Sequence, residues 1–176
     1  QPNMPLIEEE DALELKERFA TELEGPVQID LFTAEGPACL YCGETRALLE
    51  EVSALSEKIT LHVHDLEADA ALAAELGVEH APGFVLRGAS KGTVRFLGIP
   101  AGYEFATLLE DVVAVSTGRT SLREATREAL ATLESDVHIR VFVTPSCPYC
   151  PGVASMAHQM AVESEHVTAD VVGVSE

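Results

Sequence analysis

The stretch VQIDLFTAEGPACLYC at 27–42 returns as VHIRVFVTPSCPYC at 137–150. Each copy opens on alternating β-branched and polar residues and closes on a C-x-x-C pair. Cys147 lies 108 residues after Cys39, whereas Phe142 lies 110 after Phe32, so the first copy holds two extra residues in its TAEGPA loop. Downstream, KITLHVHDLEA (58–68) answers HVTADVVGVSE (166–176). A strand, a cysteine-bearing turn, a helix and a second strand therefore occur twice. Two parallel strands joined by a crossover helix form a right-handed βαβ unit. An internal repeat constrains the fold more tightly than any composition does.

The periodicities agree with that reading. Val27, Ile29 and Leu31 alternate with Gln28, Asp30 and Phe32, and Val137, Ile139, Val141 and Val143 alternate likewise. Leu48, Val52 and Leu55 then fall at helical spacing; so do Val153, Met156 and Met160, where the methionines read as core filler. The first copy continues with a short helix, DAALAAELGV (69–78). FVLR and TVRFL follow as two strands joined by the turn GASKG. Phe105, Leu108, Leu109 and Val112 mark a helix that Gly118 ends. Ala12, Leu15, Phe19 and Leu23 place an amphipathic helix at 8–24, and SLRE (121–124) has the spacing of a capping box opening a helix to about Ser135. Glu176 answers Ala68, so the second short helix, hairpin and final helix have no counterpart. The expected organisation is a complete unit over 1–118, with a four-stranded mixed sheet, and a partial second unit over 119–176. HIRVFV should then keep an unpaired edge and an apolar face, and residues beyond Glu176 are expected to supply the missing half.

Thirty acidic residues against 11 basic ones leave a formal charge of −19. Such a surface repels phosphates, which argues against nucleic acid and anionic membranes as partners. No apolar run approaches the ~18 residues of a membrane span, and no basic-then-apolar leader opens the chain, so a cytoplasmic location is expected. All four cysteines belong to the two C-x-x-C pairs. A secreted disulfide framework would be denser and more scattered, and zinc-binding pairs usually sit about 15–20 residues apart. His62 and His64 share one face of LHVHD without a third ligand and read as surface residues; His80, His138, His158 and His166 show no ligand pattern. Asp30 reads as solvated or capping, and no metal site is expected.

The order β-α-β-α-β-β-α, with C-x-x-C at the first strand-to-helix turn and the proline of APGF opening the hairpin, resembles the thioredoxin fold. Tandem copies carrying CLYC and CPYC resemble the glutaredoxin-like protein disulfide oxidoreductases of thermophilic prokaryotes, over about Leu6 to Glu176. The N-terminal domain of the alkyl hydroperoxide reductase flavoprotein shares the tandem architecture, but its first half lacks the dithiol that Cys39 and Cys42 supply here. The resemblance implies an α/β chain with a thioredoxin-like fold in tandem, its second copy incomplete. It implies that Cys39 and Cys147 attack and that Cys42 and Cys150 resolve. Pro82 matches the family's cis-proline, with Ala81, Tyr41 and Tyr149 expected beside the substrate. No cofactor is implied beyond the redox-active disulfides. The implied partners are protein disulfides, an electron donor similar to thioredoxin reductase, and a second copy covering the incomplete unit. Two other readings stand beside this one: an adaptor or electron relay for a peroxidase or reductase, and a four-thiolate zinc module.

The chemistry needs a sulfur that ionises near neutral pH, because exchange proceeds through thiolate attack and a mixed disulfide. A free thiol ionises near ~8.5, and a helix N-terminus lowers that to roughly 3.5–7.5. Cys39 and Cys147 are expected at such ends. Pro148 would occupy the first helical turn, where Leu40 stands in the other copy, so the two dithiols should differ in potential.

Overall fold

A computed structural model describes residues 5–174. Along the chain run α1 (Glu9–Glu22), β1 (Val27–Thr33), α2 (Cys42–Ser53), β2 (Ile59–Asp65), α3 (Ala70–Leu76), β3 (Gly83–Arg87) and β4 (Thr93–Leu97). Then come α4 (Glu104–Thr117), α5 (Glu124–Ala131), β5 (Val137–Val143), α6 (Cys150–Glu163) and β6 (Val167–Gly173). The alternating strands and the turn residues fall where the sequence puts them. Gly118 ends α4 in the left-handed region at φ 72°, a conformation that side chains with a Cβ resist.

The four strands of the first copy do not form a sheet of their own. All six strands make one sheet in the order β2-β1-β3-β4-β6-β5. β1 and β2 are parallel, as are β5 and β6, with β3 and β4 antiparallel between them. β6 pairs parallel with β4, Leu97 opposite Val172, which satisfies the backbone groups of an edge that the first copy would otherwise leave bare. β5 pairs with β6 on one side, and its Phe142 is 60% exposed. One face of the sheet carries Ile29, Leu31, Phe84, Leu86, Phe96 and Val171 into a single core with α2, α4 and α6. Each fully buried side chain of this size contributes roughly 1.5–3 kcal/mol. The other face buries Phe32 and Val85 beneath Ala73 of α3.

The hairpin between β3 and β4 also reaches the second copy. Lys91 and Gly92 donate their N–H groups to the Val162 and Ala161 carbonyls near the end of α6. A Cβ at Gly92 would meet the Val167 oxygen at 2.1 Å, so only glycine allows this approach.

Of the predicted apolar face of α6 only Met160 packs against the core: Val153 and Met156 are exposed, and Ala154, Ala157 and Ala161 are buried. Alanines let α4 pack closely, which longer side chains at those positions would prevent. SLRE is not a capping box. The residue ahead of α5 is Arg123, without a side-chain cap, and Ser121 donates its N–H and its hydroxyl to the Gln159 side-chain oxygen Oε1.

Asp30 is neither solvated nor capping. It is 1% exposed and accepts from Arg87 Nε at 2.8 Å, with His64 Nε2 at 2.9 Å. His64 is thus a hydrogen-bond partner of a buried carboxylate rather than a plain surface residue. A second cluster joins the copies: Arg95 of β4 donates through Nε and Nη2 to Asp170 of β6, and through Nη1 to the Leu76 carbonyl. Burial pushes the Asp170 carboxyl up, but hydrogen bonds from Arg95 and His138 more than offset it and hold it below its ordinary range. His158, fully buried, sits between Asp111 of α4 and the Arg95 carbonyl. Burial opposes its charge, yet the Asp111 carboxylate prevails and keeps the imidazole protonated above its usual range.

Candidate active sites

β1 and β5 each deliver the chain to the same place, the start of a helix at the carboxyl end of a parallel strand. Cys39 and Cys42 form a disulfide with Cα atoms 5.6 Å apart, and Cys147 and Cys150 form another at 5.5 Å. The helices begin at the second cysteine of each pair, not at the first. Cys39 and Cys147 therefore sit in the turn just ahead of the helix. The first hydrogen bond of α2 runs from Thr45 N–H to the Tyr41 carbonyl, which leaves the Cys42, Gly43 and Glu44 N–H groups without helical partners. Those donors and the helix dipole favour negative charge at the preceding turn. In α6 one of the three donors is missing, because Pro151 has no N–H. The difference between the two sites thus includes Pro151 inside the helix, beyond the expected contrast of Leu40 with Pro148, which lies ahead of it.

Cys42 is buried and Cys39 partly exposed, while Leu40 beside it is 78% exposed. A cleft of about 330 Å³ opens in front of Cys39, lined among others by Tyr41, His80, Pro82, Leu97 and Val172. Ala81 and Pro82 meet in a cis peptide bond and both line this cleft. Pro82's carbonyl accepts from Gly98 N–H at 2.8 Å, whereas among the described residues no hydrogen bond engages the backbone of Ala81. Cys39, Tyr41, Ala81 and Pro82 are thus brought together.

Around the second pair the neighbours come from the first copy. Tyr103 N–H reaches the Pro145 carbonyl at 3.4 Å, and a Cβ on Gly102 would lie 2.5 Å from the same oxygen. α4 therefore starts against the loop that leads to Cys147. Further along, Asp111 meets His158 at 2.5 Å, so α4 and α6 run in the same direction. Glu104 is two helical turns before Asp111, and Pro151 is two turns before His158. This spacing puts Glu104 level with the first turn of α6, where Cys150 begins the helix. Glu104 is 3% exposed, and neither carboxylate oxygen has a hydrogen-bond partner among the described residues; the Thr107 hydroxyl one turn on is equally unpartnered. Burial pushes the Glu104 carboxyl up from its ordinary value, against a smaller downward pull from its own backbone N–H. Tyr149 is 84% exposed at the rim.

Sequence reading missed Glu104 and took Asp30 and His158 for ordinary polar residues. The four sulfurs are held as two separate disulfides. Among the described residues no group of three or more His, Cys, Asp or Glu side chains is arranged to hold a metal ion.

No protein-family model matches the chain. Its fold is similar to a protein disulfide oxidoreductase from Aeropyrum pernix, with a TM-score of 0.85 and 31% identity over 96% of this chain and 75% of that one. The chain belongs to the protein disulfide oxidoreductase family. This oxidoreductase is also similar to the alkylhydroperoxide reductase component AhpF of Enterococcus faecalis, with a TM-score of 0.84 and 27% identity over 96% of this chain and 80% of that one. Among curated proteins, the same component of alkyl hydroperoxide reductase from Staphylococcus aureus is 26% identical over 130 residues. That match covers 73% of this chain and 23% of the relative's length.

Proposed function

We propose that this family member is a thioredoxin- or glutaredoxin-like enzyme that exchanges disulfides with protein substrates. The units 1–118 and 119–176 each carry one reactive dithiol. The observation that carries the reading is a partly exposed Cys39 joined to a buried Cys42 at a helix start, facing a cleft beside a free backbone segment at Ala81.

In the reducing direction, the Cys39 thiolate attacks one sulfur of a substrate disulfide. The substrate S–S bond breaks, a mixed disulfide forms, and one substrate thiolate leaves. Cys42 then loses its proton and attacks Cys39 Sγ, releasing the second substrate thiolate. The substrate gains two electrons and the dithiol becomes a disulfide. A dithiol donor of the kind that thioredoxin reductase represents resets it. At the second site Cys147 attacks and Cys150 resolves, and Glu104 is the buried carboxylate that accepts the Cys150 proton. Tyr149 and Tyr41 contact substrate at the two rims. No helix among the described residues is long and apolar enough to cross a membrane, which suits the proposed cytoplasmic setting.

The likeness to AhpF favours a second reading, an electron relay in which Cys147–Cys150 passes electrons to a peroxidase partner. The relay reading expects Cys147→Ser to abolish electron delivery to that peroxidase and Cys39→Ser to spare it. The enzyme reading expects Cys39→Ser to abolish first-site reduction of a protein disulfide driven by dithiothreitol. A chain carrying both Cys39→Ser and Cys147→Ser that still turns over at the parent rate would exclude both readings.

A further inference from the structure

The cleft in front of Cys39 is not built by the first copy alone. Val172 and Gly173, at the carboxyl end of β6, line it together with Leu97 and Pro82. The register explains why. β4 and β6 run parallel with Leu97 opposite Val172, and β1 and β4 are both antiparallel to β3, so β4 and β6 end at the same end of the sheet at which β1 releases the Cys39 loop. Side chains in register on neighbouring strands share a face and lie about 4.8 Å apart across the ladder. Val172 therefore continues the wall that Leu97 begins. The cleft's charge is equally telling. The chain carries 30 Asp and Glu residues, yet among the described residues none lines this cleft, whose ionisable side chains, once the disulfide is reduced, are Cys39, Tyr41 and His80. Ala81 supplies unengaged backbone on the near side.

We infer that β6 of the second copy forms the far wall of the first dithiol's substrate site, and that Val172 selects an extended polypeptide with an apolar residue beside its reactive cysteine. The occupant lays its backbone along Ala81, as an added strand does at a sheet edge, and rests the neighbouring side chain against Leu97 and Val172. A carboxylate at that position would lose its water against two aliphatic side chains with no donor to replace it. The second copy thus serves Cys39 through its strand, whatever its own cysteines do. This rests on the disulfide-exchange reading above, which assigns Cys39 as the attacking sulfur.

The test uses full-length chain carrying Cys147→Ser and Cys150→Ser, so that only the first dithiol turns over. Two disulfide-linked peptides serve as probes, one with leucine and one with glutamate next to the cysteine. The parent should favour the leucine peptide by about tenfold in kcat/KM, the worth of one half-buried aliphatic contact, mainly through KM. Val172→Lys should reverse the preference, raising KM for the leucine peptide and lowering it for the glutamate peptide. Val172→Thr keeps the shape and should shrink the preference without reversing it, which guards against a lysine variant that fails to fold. A lysine variant that is folded but retains the parent's preference overturns the inference, as does an equal loss on both peptides. A parent that turns over neither peptide overturns the disulfide-exchange reading as well.

Discussion

Replacing Glu104 by leucine should make the protein more stable and its second dithiol slower. The carboxylate is 3% exposed with both oxygens unpartnered among the described residues. A buried polar group left without a hydrogen bond costs about 1–3 kcal/mol, which leucine at similar volume recovers. With a slope near 2 kcal/mol per M urea, the unfolding midpoint should rise by roughly 0.5–1.5 M. The pH dependence carries a sign. Burial raises the folded pKa of Glu104, so its favourable contribution is complete below the unfolded value of about 4.3 and is lost as pH rises through the folded one. The stability advantage of the leucine variant should therefore be small in acid and reach its full size above that window. Turnover should move the other way, by a factor of about 10²–10⁴ if the proton of Cys150 leaves through this carboxylate. The measurement uses Cys39→Ser/Cys42→Ser chains to isolate the second dithiol, followed by urea melts and single-turnover release of the mixed disulfide. Glu104→Gln keeps the shape but cannot accept a proton, and should be slow as well. A leucine variant that is less stable than the parent, or one that resolves mixed disulfides at the parent rate, refutes the argument.

Other consequences are simpler to measure. In the reduced protein, limiting iodoacetamide at neutral pH should label Cys39 before Cys42, because only the former is appreciably exposed; mass spectrometry showing equal labelling would contradict this. Asp170→Asn strands the Arg95 guanidinium in the interior and should cost about 3–5 kcal/mol, whereas Arg95→Met with Asp170→Leu should cost much less; equal losses in urea melts would count against the buried ion pair. His158 has a raised folded pKa, so its contribution is whole below about 6.5 and fades as pH climbs through the folded value. The stability gap between the parent and His158→Gln should accordingly narrow as pH rises above about 6.5, and a gap that widens would be the wrong sign.

The dithiols and Pro82 were legible because their chemistry lies in contiguous motifs and the repeat fixes which strand precedes each one. Asp30 was not, because its fate depends on Arg87, 57 residues away, and on His64 across the sheet. Strand alternation places it on the face of Gln28 and Phe32 but cannot say that a cation and an imidazole close over it. Glu104 is more instructive. An acidic residue opening a helix normally faces solvent and favours the dipole, so it draws no attention. Yet Glu104, Thr107 and Asp111 share a stripe at i, i+3, i+7 on a helix whose adjoining face carries Leu108 and Val112, and all five are buried. A polar stripe faces water only if nothing packs on it. The repeat already required a second β-α-β unit, and once β6 joins the bare edge of β4, its crossover helix must lie on a face of the same sheet. That helix is α6, it falls beside α4, and His158 meets the stripe at Asp111. The buried acid proposed for the second site is thus a product of two sequence signals whose meaning depends on the pairing of β4 with β6, and that pairing is the step neither copy's own pattern encodes.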